Sequence, residues 1–533
     1  MKKFVTWLLI LSLCLTFVGC GGGNEAAEST TEKVVDDNFN AEGYPVVKEP
    51  IELSLVFNSH PNTYELTEME SFQVISAKTG VNISVETIRS GWDEKKNLIL
   101  ASGDLPDVFF GVGLSDIDIL NNKDYFVDMA PLIEKYAPNI QAMFENDPLT
   151  KKICTDPDTG AIYALPSVRP FRPKVADTWF INKTWLDNLG LEIPQTVEEF
   201  EQVLIAFRDL DPNGNGEKDE IPFNFDTSGN NFTWRGLLGS FGVTNDRTGE
   251  QVQVRDGKVE FILTSEGYRD AVSYVSKLYS EGLVYPEIYT QSNYMASGKA
   301  SDIAKLGVGV HWQAENLFGQ WTDQYVVLPP LEGPNGDRQV LNSGVTEKYK
   351  KNVIAMTSVN ENVEATMRWI DELYAEENSI QMFFGSIGPA IEKTDAGYKV
   401  LDPPADLNLN AGLWKWTAAP ADRAPLYCSE ELENKTTVPE FHLVKLSYEE
   451  GMEDFIEPLE NNFPMVTWSP DVAVELATLK NDIYTYAQNM TAKWITEGGV
   501  EEDWDQYIQE IDKMGYERLM EIYQEAYDKF MAN

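Results

Sequence analysis

The spacing of apolar and polar positions predicts alternating strands and helices in the first part of the chain. Residues 51–57 and 103–110 are rich in apolar side chains, and residues 81–88 alternate between apolar and polar ones. A helical pattern at 94–101 lies between the second and the third of these strands. Strands that alternate with helices in this way indicate a parallel α/β sheet. Ligands of such sheets lie beyond the carboxyl ends of the strands.

The same patterns continue through the remainder of the chain. Tyr268, Val272, Val275 and Leu278 repeat with the period of a helix. Further helices are predicted at 183–189, 197–209, 265–280, 362–375, 476–494 and 504–531, and further strands at 221–225, 305–312 and 352–356. With 43% hydrophobic residues, the chain past residue 50 is long enough to form two large lobes.

The first residues have the features of a secretory signal. Two lysines precede an apolar run at 4–18, which is shorter than the roughly 20 residues that cross a bilayer comfortably. The run ends at Gly19 and Cys20, in a pattern that resembles a bacterial lipobox. We therefore predict a signal peptide at 1–19 and a lipid such as palmitate on Cys20. The alternative is a plain secretory signal with an incidental cysteine.

The segment that follows has the composition of a flexible linker. Residues 20–49 are rich in Gly, Glu, Ser, Thr, Asn and Asp and contain few apolar side chains. Such a segment cannot bury enough apolar surface to fold. It is predicted to be a tether between a membrane anchor and the folded body.

The net charge limits the classes of ligand. The chain has 42 basic and 86 acidic residues, which give a formal charge of −44. This charge argues against binding to nucleic acid and against lying flat on anionic lipid. It also disfavours polyanionic ligands, although a local basic patch can override the overall field. With only three histidines, a transition-metal cluster is not expected either.

One short segment has the composition of a cation-binding loop. Residues 211–220 place oxygen-bearing side chains at alternate positions around two glycines, as in loops that surround Ca²⁺ with about six to eight oxygens. The candidate ligands are Asp211, Asn213, Asn215, the carbonyl of Glu217, Asp219 and Glu220. The loop begins like an EF-hand, but Pro222 stands at the twelfth position, where Glu is usual. The alternative is an ordinary surface turn.

Four segments occur in an order typical of one protein family. They are Tyr163-Ala-Leu-Pro166, residues 179–190, Pro194 with Thr196, and the loop at 211–222. This order resembles the extracellular solute-binding lipoproteins, of the family 1 type, that supply carbohydrate ABC importers. The resemblance covers nearly the whole chain. It implies an α/β, two-lobed fold like that of periplasmic binding proteins, with a hinge, a central ligand cleft and extra C-terminal helices.

The resemblance also implies a function and partners. The protein would capture an oligosaccharide at the extracellular face of the cell membrane, as a monomer, and deliver it to the permease subunits of an ABC transporter. In relatives that import large oligosaccharides a loop of this pattern holds a structural Ca²⁺, and this role carries over to the six candidate ligands. Residues 50–170 and 305–365 would form the first lobe, and residues 171–304 and 366–533 the second.

Binding a sugar without transforming it requires aromatic plates and planar hydrogen-bonding side chains. The candidate plates are tryptophans beside glycine, asparagine or charge in predicted loops: Trp234, Trp312, Trp414 and Trp416. The polar candidates are His60, Asn62, Arg169, Gln313, Glu315 and Arg423. For the tryptophans the alternative is core packing, and for the polar residues it is an ordinary exposed position.

Two other functional classes have to be considered. A glycan-degrading enzyme needs two suitably spaced carboxylates, but 86 acidic residues make any such pair uninformative. The chain has no Gly-x-Ser-x-Gly, His-Glu-x-x-His or phosphate-cradling motif. We therefore predict a binding protein rather than an enzyme. The other alternative is a peptide or signal binder that presents its ligand to a sensor kinase.

Two cysteines remain once the signal is removed and Cys20 is lipidated. Cys154 and Cys428 are far apart in the sequence, which does not decide whether they pair. A core of this size needs no disulfide, so two separate buried thiols are favoured.

Overall fold

The computed structural model describes residues 38–299 and 302–532. The predicted signal peptide at 1–19 and the lipidated Cys20 lie outside these residues.

The first lobe is built on a mixed sheet. Its strands, in spatial order, are Val81–Ile88, Ile51–Asn58, Val108–Phe110, Tyr349–Met356 and Leu165–Val168. The first three run parallel, as the alternation of strands and helices predicts. The strand Tyr349–Met356 is antiparallel to both of its neighbours.

The second lobe has a sheet of its own. Its strands, in spatial order, are Tyr325–Val327, Thr178–Asn182, Leu306–His311 and Ile221–Phe223. Smaller sheets join Ile391–Thr394, Gly397–Val400 and Thr436–Thr437, and separately Val252–Arg255 and Lys258–Phe261. The two main sheets do not share a strand among the described residues, so each lobe has an independent framework.

Helices cover both sheets. In chain order the α-helices are Glu70–Thr79, Trp92–Ser102, Asp116–Asn121, Ala130–Tyr136, Pro138–Asn146, Pro148–Lys152, Lys183–Leu189, Val197–Asp209, Glu266–Ser280, Ala314–Phe318, Gly344–Lys348, Val363–Leu373, Glu376–Phe384, Ala411–Ala418, Glu430–Asn434, Glu440–Ser447, Pro470–Glu497, Val500–Lys513 and Tyr516–Ala532. Among the residues that the structure describes, no helix combines the length and the apolar character that a membrane crossing requires.

Each lobe has a separate hydrophobic core. The first contains the buried side chains of Phe57 and Trp369, and the second those of Trp185 and Trp494. Burial of large apolar side chains in two distinct clusters confirms the predicted two-lobed α/β fold with C-terminal helices, because each cluster can form around its own sheet. Trp185 and Trp369 are thus core residues.

Local signals in the sequence account for several helix boundaries. The Thr196 hydroxyl accepts a hydrogen bond from the Glu199 backbone N–H at 3.1 Å and caps the helix Val197–Asp209. The Glu199 carboxylate in turn accepts from the backbone N–H of Gln195 at 2.8 Å. This reciprocal arrangement stabilises the helix start by satisfying free backbone donors.

The predicted lobe boundaries need correction. Residues 305–327 were assigned to the first lobe, but Leu306–His311 pairs with Thr178–Asn182 and Ile221–Phe223 in the second sheet. Residues 366–438 were assigned to the second lobe, but their buried side chains pack in the first core. A glycine-rich strand and an amphipathic helix fit either sheet equally well, so the sequence pattern alone could not assign them.

Two predicted segments also differ from the structure. The tether was predicted to reach residue 49, but Val46 and Val47 are fully buried in the first core. The single helix predicted at 504–531 is two helices, because Gly515 adopts a φ of 98° between them. This backbone conformation favours glycine and interrupts a right-handed helix.

Cys154 and Cys428 are both free and buried, as favoured from the sequence. Burial raises the pKa of the Cys154 thiol to about 12. A thiol in this state is not a nucleophile, because reactivity belongs to the thiolate. Both cysteines therefore act as small apolar core residues.

Candidate functional site

A cavity of about 390 Å³ lies between elements of the two lobes. Its lining residues are His60, Asn62, Pro170, Phe171, Arg172, Trp312, Gln313, Asn316, Phe383, Phe384, Asn410, Gly412, Leu413, Lys415, Trp416, Phe441, His442 and Lys445. Aromatic rings, amides and cations thus surround one space. Such a combination of apolar walls and a few placed polar groups is typical of a ligand site.

Five of the predicted ligand-binding residues line this cavity: His60, Asn62, Trp312, Gln313 and Trp416. His60 and Asn62 follow the strand Ile51–Asn58, and Trp312 and Gln313 follow Leu306–His311. The cavity therefore lies beyond the carboxyl ends of one strand from each sheet. This is the position that the sequence analysis predicted from the α/β pattern.

Contacts within the protein orient several side chains that line the cavity. The His60 and Trp416 rings stack at a centroid distance of 4.7 Å and an angle of 24°. The Gln313 side-chain amide donates to the Phe441 carbonyl at 2.9 Å. These contacts fix the orientation of Trp416 and Gln313, which reduces the side-chain entropy lost when a ligand binds.

Three other predicted polar residues lie next to the cavity without lining it. Arg423 donates to the Asn58 carbonyl at 2.9 Å, and Glu315 accepts from the Asn410 amide at 3.2 Å. Arg169 is buried and pairs with Asp422 at 3.1 Å. Burial lowers the pKa of Arg169 to about 10, although it remains a cation at neutral pH. These residues support the cavity wall.

Two of the predicted aromatic plates lie elsewhere. Trp234 is 4% exposed in the second core and packs beside Tyr268 at 6.1 Å, and Trp414 is 6% exposed in the first core. Trp414 and Trp416 were both placed in a loop, but they belong to the helix Ala411–Ala418. Residues two apart on a helix point to different faces, so one ring is buried while the other reaches the cavity.

The sequence analysis missed the cations of the cavity. Its polar candidates did not include Arg172, Lys415 or Lys445. The side chains of Arg172 and Lys415 are 9% and 11% exposed, and Lys445 is 2% exposed. Lys415 is adjacent in sequence to Trp416, which was predicted to bind ligand, and this adjacency could have identified Lys415.

Burial strongly affects the titratable groups that line the cavity. It lowers the pKa of His442 to about 3 and that of Lys445 to about 7. His442 is therefore neutral at physiological pH and can accept or donate one hydrogen bond. Lys445 donates to the Ala176 carbonyl at 2.9 Å and to the Thr178 hydroxyl.

The polar side chains of the loop at 211–220 form hydrogen bonds within the loop. The Asp211 carboxylate accepts hydrogen bonds from the backbone N–H groups of Gly214 and Asn215 at 3.1 Å and of Gly216 at 3.0 Å. Asn213 and Asn215 donate to Asp219 at 3.0 and 3.1 Å. The loop is thus wrapped by its own polar side chains.

One carboxylate of this loop is not satisfied within the protein. The Glu220 Oε1 atom is buried and has no hydrogen-bond partner among the described residues. Burial, followed by repulsion from Asp211 and Asp219, raises the pKa of Glu220. Lys305 pairs with Asp219 at 2.8 Å. No group of three or more His, Cys, Asp or Glu side chains in the described part of the chain is arranged for a metal ion.

Comparison with known proteins shows clear relatives. A family model described as bacterial extracellular solute-binding protein matches residues 65–380. The chain is 31% identical to the fructooligosaccharide ABC transporter substrate-binding protein FusA of Streptococcus pneumoniae, over 100% of this chain and 99% of FusA.

Solved structures agree with this match. The structure of FusA from S. pneumoniae in complex with kestose has a TM-score of 0.81 and 32% identity, over 91% of this chain and 100% of that chain. A FusA EF-hand mutant in complex with fructo-nystose has the same TM-score and 31% identity, over the same shares of the two chains.

Proposed function

Because the chain belongs to the bacterial extracellular solute-binding protein family, we propose that it captures an oligosaccharide outside the cell and delivers it to an ABC transporter. The observation that carries this proposal is the cavity between the lobes, with Trp312 and Trp416 among its walls. A two-sided cavity of about 390 Å³ suits a small number of sugar rings. The family is one of binding proteins, so no bond of the ligand is broken.

The cavity offers both kinds of contact that a sugar needs. The rings of Trp312 and Trp416 supply apolar faces for the CH groups of the sugar. Asn62, Gln313 and Asn316 carry amides, which both donate and accept hydrogen bonds. Hydroxyl groups that lose water on binding can therefore be satisfied inside the cavity, which is required for net affinity.

Capture takes place by closure of the lobes. Within the described residues the chain passes between the two sheets at 169–177 and 328–348, and between the two cores at 439–462. Crossings of this kind permit a rigid-body swing that leaves each core intact. The hydrogen bond between Asn410 and Glu315 then joins the two sides of the cavity in the closed protein.

Isothermal titration calorimetry of the protein against a panel of oligosaccharides tests this function. Binding of one class at micromolar affinity, with the sugar recovered unchanged, supports it. If no oligosaccharide binds while a peptide does, the proposal is wrong and the protein presents peptides instead. Trp414→Phe is a suitable control because Trp414 lies in the first core and not in the cavity.

The loop at 211–220 is proposed to hold a structural Ca²⁺. The carboxylate and amide oxygens of Asp211, Asn213, Asn215, Asp219 and Glu220, with the carbonyl of Glu217, are ligands that Ca²⁺ prefers. The unsatisfied Glu220 oxygen supports this, since a cation would neutralise it. The relative whose structure is described as an EF-hand mutant adds further support. Thermal unfolding with Ca²⁺ and with a chelator tests the proposal.

The protein is further proposed to act as a monomer anchored to the cell membrane through a lipid on Cys20. This rests on the apolar run that ends at Cys20. Mass spectrometry of the mature N-terminus would show an acylated cysteine. An unmodified N-terminus at another residue would contradict the anchor and leave the binding function unaffected.

A further inference from the structure

The cavity is positively charged in a strongly acidic protein. Arg172, Lys415 and Lys445 line it, and none of its described lining residues is Asp or Glu. The chain as a whole carries a formal charge of −44. Among the described residues, three cations and no carboxylate thus line the space where a ligand would be enclosed.

The carboxylates behind the cavity do not balance these cations. Asp422 is shared, since its carboxylate accepts from Arg169 at 3.1 Å, from Lys415 at 2.7 Å and from Arg172. One negative charge thus faces three positive ones. Glu347 and Asp177 form ion pairs with Arg169 and Arg247, and among the described residues neither pairs with a cation that lines the cavity.

Part of this positive charge is not used within the protein. The Arg172 Nε–H is buried and has no hydrogen-bond partner among the described residues. Arg172 and Lys445 also lie 5.8 and 5.0 Å from the Trp312 ring centroid, and Asp177, Glu449 and Glu347 attract Lys445 without forming an ion pair with it among the described residues. Ring faces attract cations only weakly compared with a carboxylate. A buried excess of positive charge is costly unless an anion joins it.

We propose that the bound oligosaccharide carries a carboxylate, as in a uronic acid, and that this group binds Arg172, Lys415 and Lys445 beside Trp312. The inference rests on the proposed function and specifies the class of sugar. Arginine and lysine side chains bind carboxylates through charge-assisted hydrogen bonds. The acidic surface does not prevent this, because charges more than a Debye length of about 8 Å away are screened at physiological salt.

The overall charge does limit how acidic the ligand can be. A polyanion would extend beyond the cavity and meet the acidic surface, whereas one carboxylate needs only the local cations. The structure therefore favours a short oligosaccharide with a single acidic group over an acidic polymer.

Matched pairs of oligosaccharides test this inference. The two members of each pair differ only at C6 of one sugar, which is a hydroxymethyl group in one and a carboxylate in the other. We expect calorimetry to show at least about tenfold tighter binding of the acidic member in one gluco, galacto or manno series. Equal or tighter binding of the neutral member would overturn the inference and leave the proposed function standing. If neither member of any pair binds while another oligosaccharide does, the inference fails and the proposed function stands; if no oligosaccharide binds at all, both fail.

A third member with a 6-sulfate separates a carboxylate from other anions. Tighter binding of the sulfate than of the carboxylate would overturn the assignment to a uronic acid.

A variant of one lining residue tests whether the preference for the acidic sugar arises in the cavity. Lys445→Met keeps the apolar stem but removes the charge. It should therefore lower the affinity for the acidic member about tenfold and the affinity for the neutral member by less than about twofold. Lys480→Met is the matched control, because Lys480 pairs with Glu250 at 2.8 Å and does not line the cavity. Equal loss for both members would contradict the proposed contact. If Lys445→Met does not fold, Lys415→Gln serves the same test.

Discussion

The cavity between the lobes and the loop at 211–220 are opposite in charge but share one property. Cations line the cavity and are balanced by too few carboxylates, whereas the loop gathers carboxylates around Lys305 as the nearest counter-ion. Each region holds buried polar atoms without a hydrogen-bond partner among the described residues: Arg169 Nε and Arg172 Nε at the cavity, and Glu220 Oε1 in the loop.

This comparison shows how local imbalance marks a site more clearly than total charge does. The pair of Lys480 and Glu250, by contrast, joins one cation to one carboxylate at 2.8 Å. A buried group left unsatisfied costs free energy that an external ion or ligand can recover. On the proposals made above, an anion would complete the cavity and a cation would complete the loop.

The largest effect is expected when the carboxylate that three cations share at the cavity is removed. Asp422→Asn leaves Arg169, Arg172 and Lys415 without their common partner. Breaking a buried charge cluster in this way should reduce the free energy of unfolding by about 3–5 kcal/mol. Urea unfolding of the ligand-free protein measures the change.

The control for this experiment is an exposed ion pair. Asp158 is 52% exposed and pairs with Lys529 at 2.5 Å. Asp158→Asn should alter the free energy of unfolding by less than about 1 kcal/mol. An effect of that small size for Asp422→Asn as well would show that the cations do not depend on their shared carboxylate.

The loop side is tested by Glu220→Gln in the presence and absence of Ca²⁺. Without Ca²⁺ the substitution should leave stability unchanged or raise it, because the unsatisfied charge is removed. With Ca²⁺ at about 100 times its Kd, the wild-type protein should gain about 2.7 kcal/mol, and the variant should lose most of that gain. Thermal unfolding measures both effects.

Glu217→Gln is the matched variant, because only the backbone carbonyl of Glu217 is a proposed ligand. It should respond to Ca²⁺ like the wild type. If Glu220→Gln and the wild type gain equally from Ca²⁺, the loop does not bind the ion through Glu220.

A third test separates the tryptophan of the cavity from that of the core. Trp312→Ala should weaken oligosaccharide binding by about 2 kcal/mol, or roughly 30-fold, as expected for a central aromatic contact. Trp414→Phe should leave affinity unchanged, since Trp414 is 6% exposed in the first core. Calorimetry measures the affinity of both variants. An equal loss of affinity in both would show that Trp312 contributes no more to binding than a core tryptophan does.

The smallest expected effect is on the pH dependence of binding. Burial lowers the pKa of Lys445 to about 7, with Arg247 acting in the same direction and Asp177, Glu449 and Glu347 opposing it. A bound carboxylate stabilises the protonated form and raises this pKa. Binding above pH 7 therefore takes up a proton, and affinity falls as the pH rises, by at most about tenfold per pH unit.

Other groups of the cavity do not reverse this trend. Burial also lowers the pKa of Lys415, and His442, with a pKa of about 3, stays neutral above pH 5. Calorimetry at pH 6.5 and pH 8.5 should thus show a loss of affinity for an acidic oligosaccharide and none for a neutral one. Affinity for the acidic sugar that is independent of pH would contradict a role for Lys445.

The loop could be proposed as a cation site from the sequence because its candidate ligands are contiguous. Asp211 to Glu220 lie within ten residues, so their spacing alone carries the information. The helix after Thr196 was predictable for the same reason, since a cap and its partner are close in sequence. Contacts of this kind do not depend on the tertiary fold.

The cavity could be predicted only in part, because its walls come from distant segments. Arg172, Lys415 and Lys445 are brought together by the arrangement of the lobes, and no local pattern relates them. The choice between Trp414 and Trp416 depended on recognising a short helix and its buried face. Lobe assignment failed for the strand Leu306–His311 because either sheet could have accepted it.

The interleaved path of the chain has a consequence for the order in which the protein folds. The first sheet needs the strand Tyr349–Met356, which follows the strands of the second sheet in sequence. The core of the second lobe needs side chains from Pro470–Glu497 and the two helices beyond it. During synthesis from the N-terminus, the lobe that starts second must therefore wait for the last residues, and pairing over such long separations is slow.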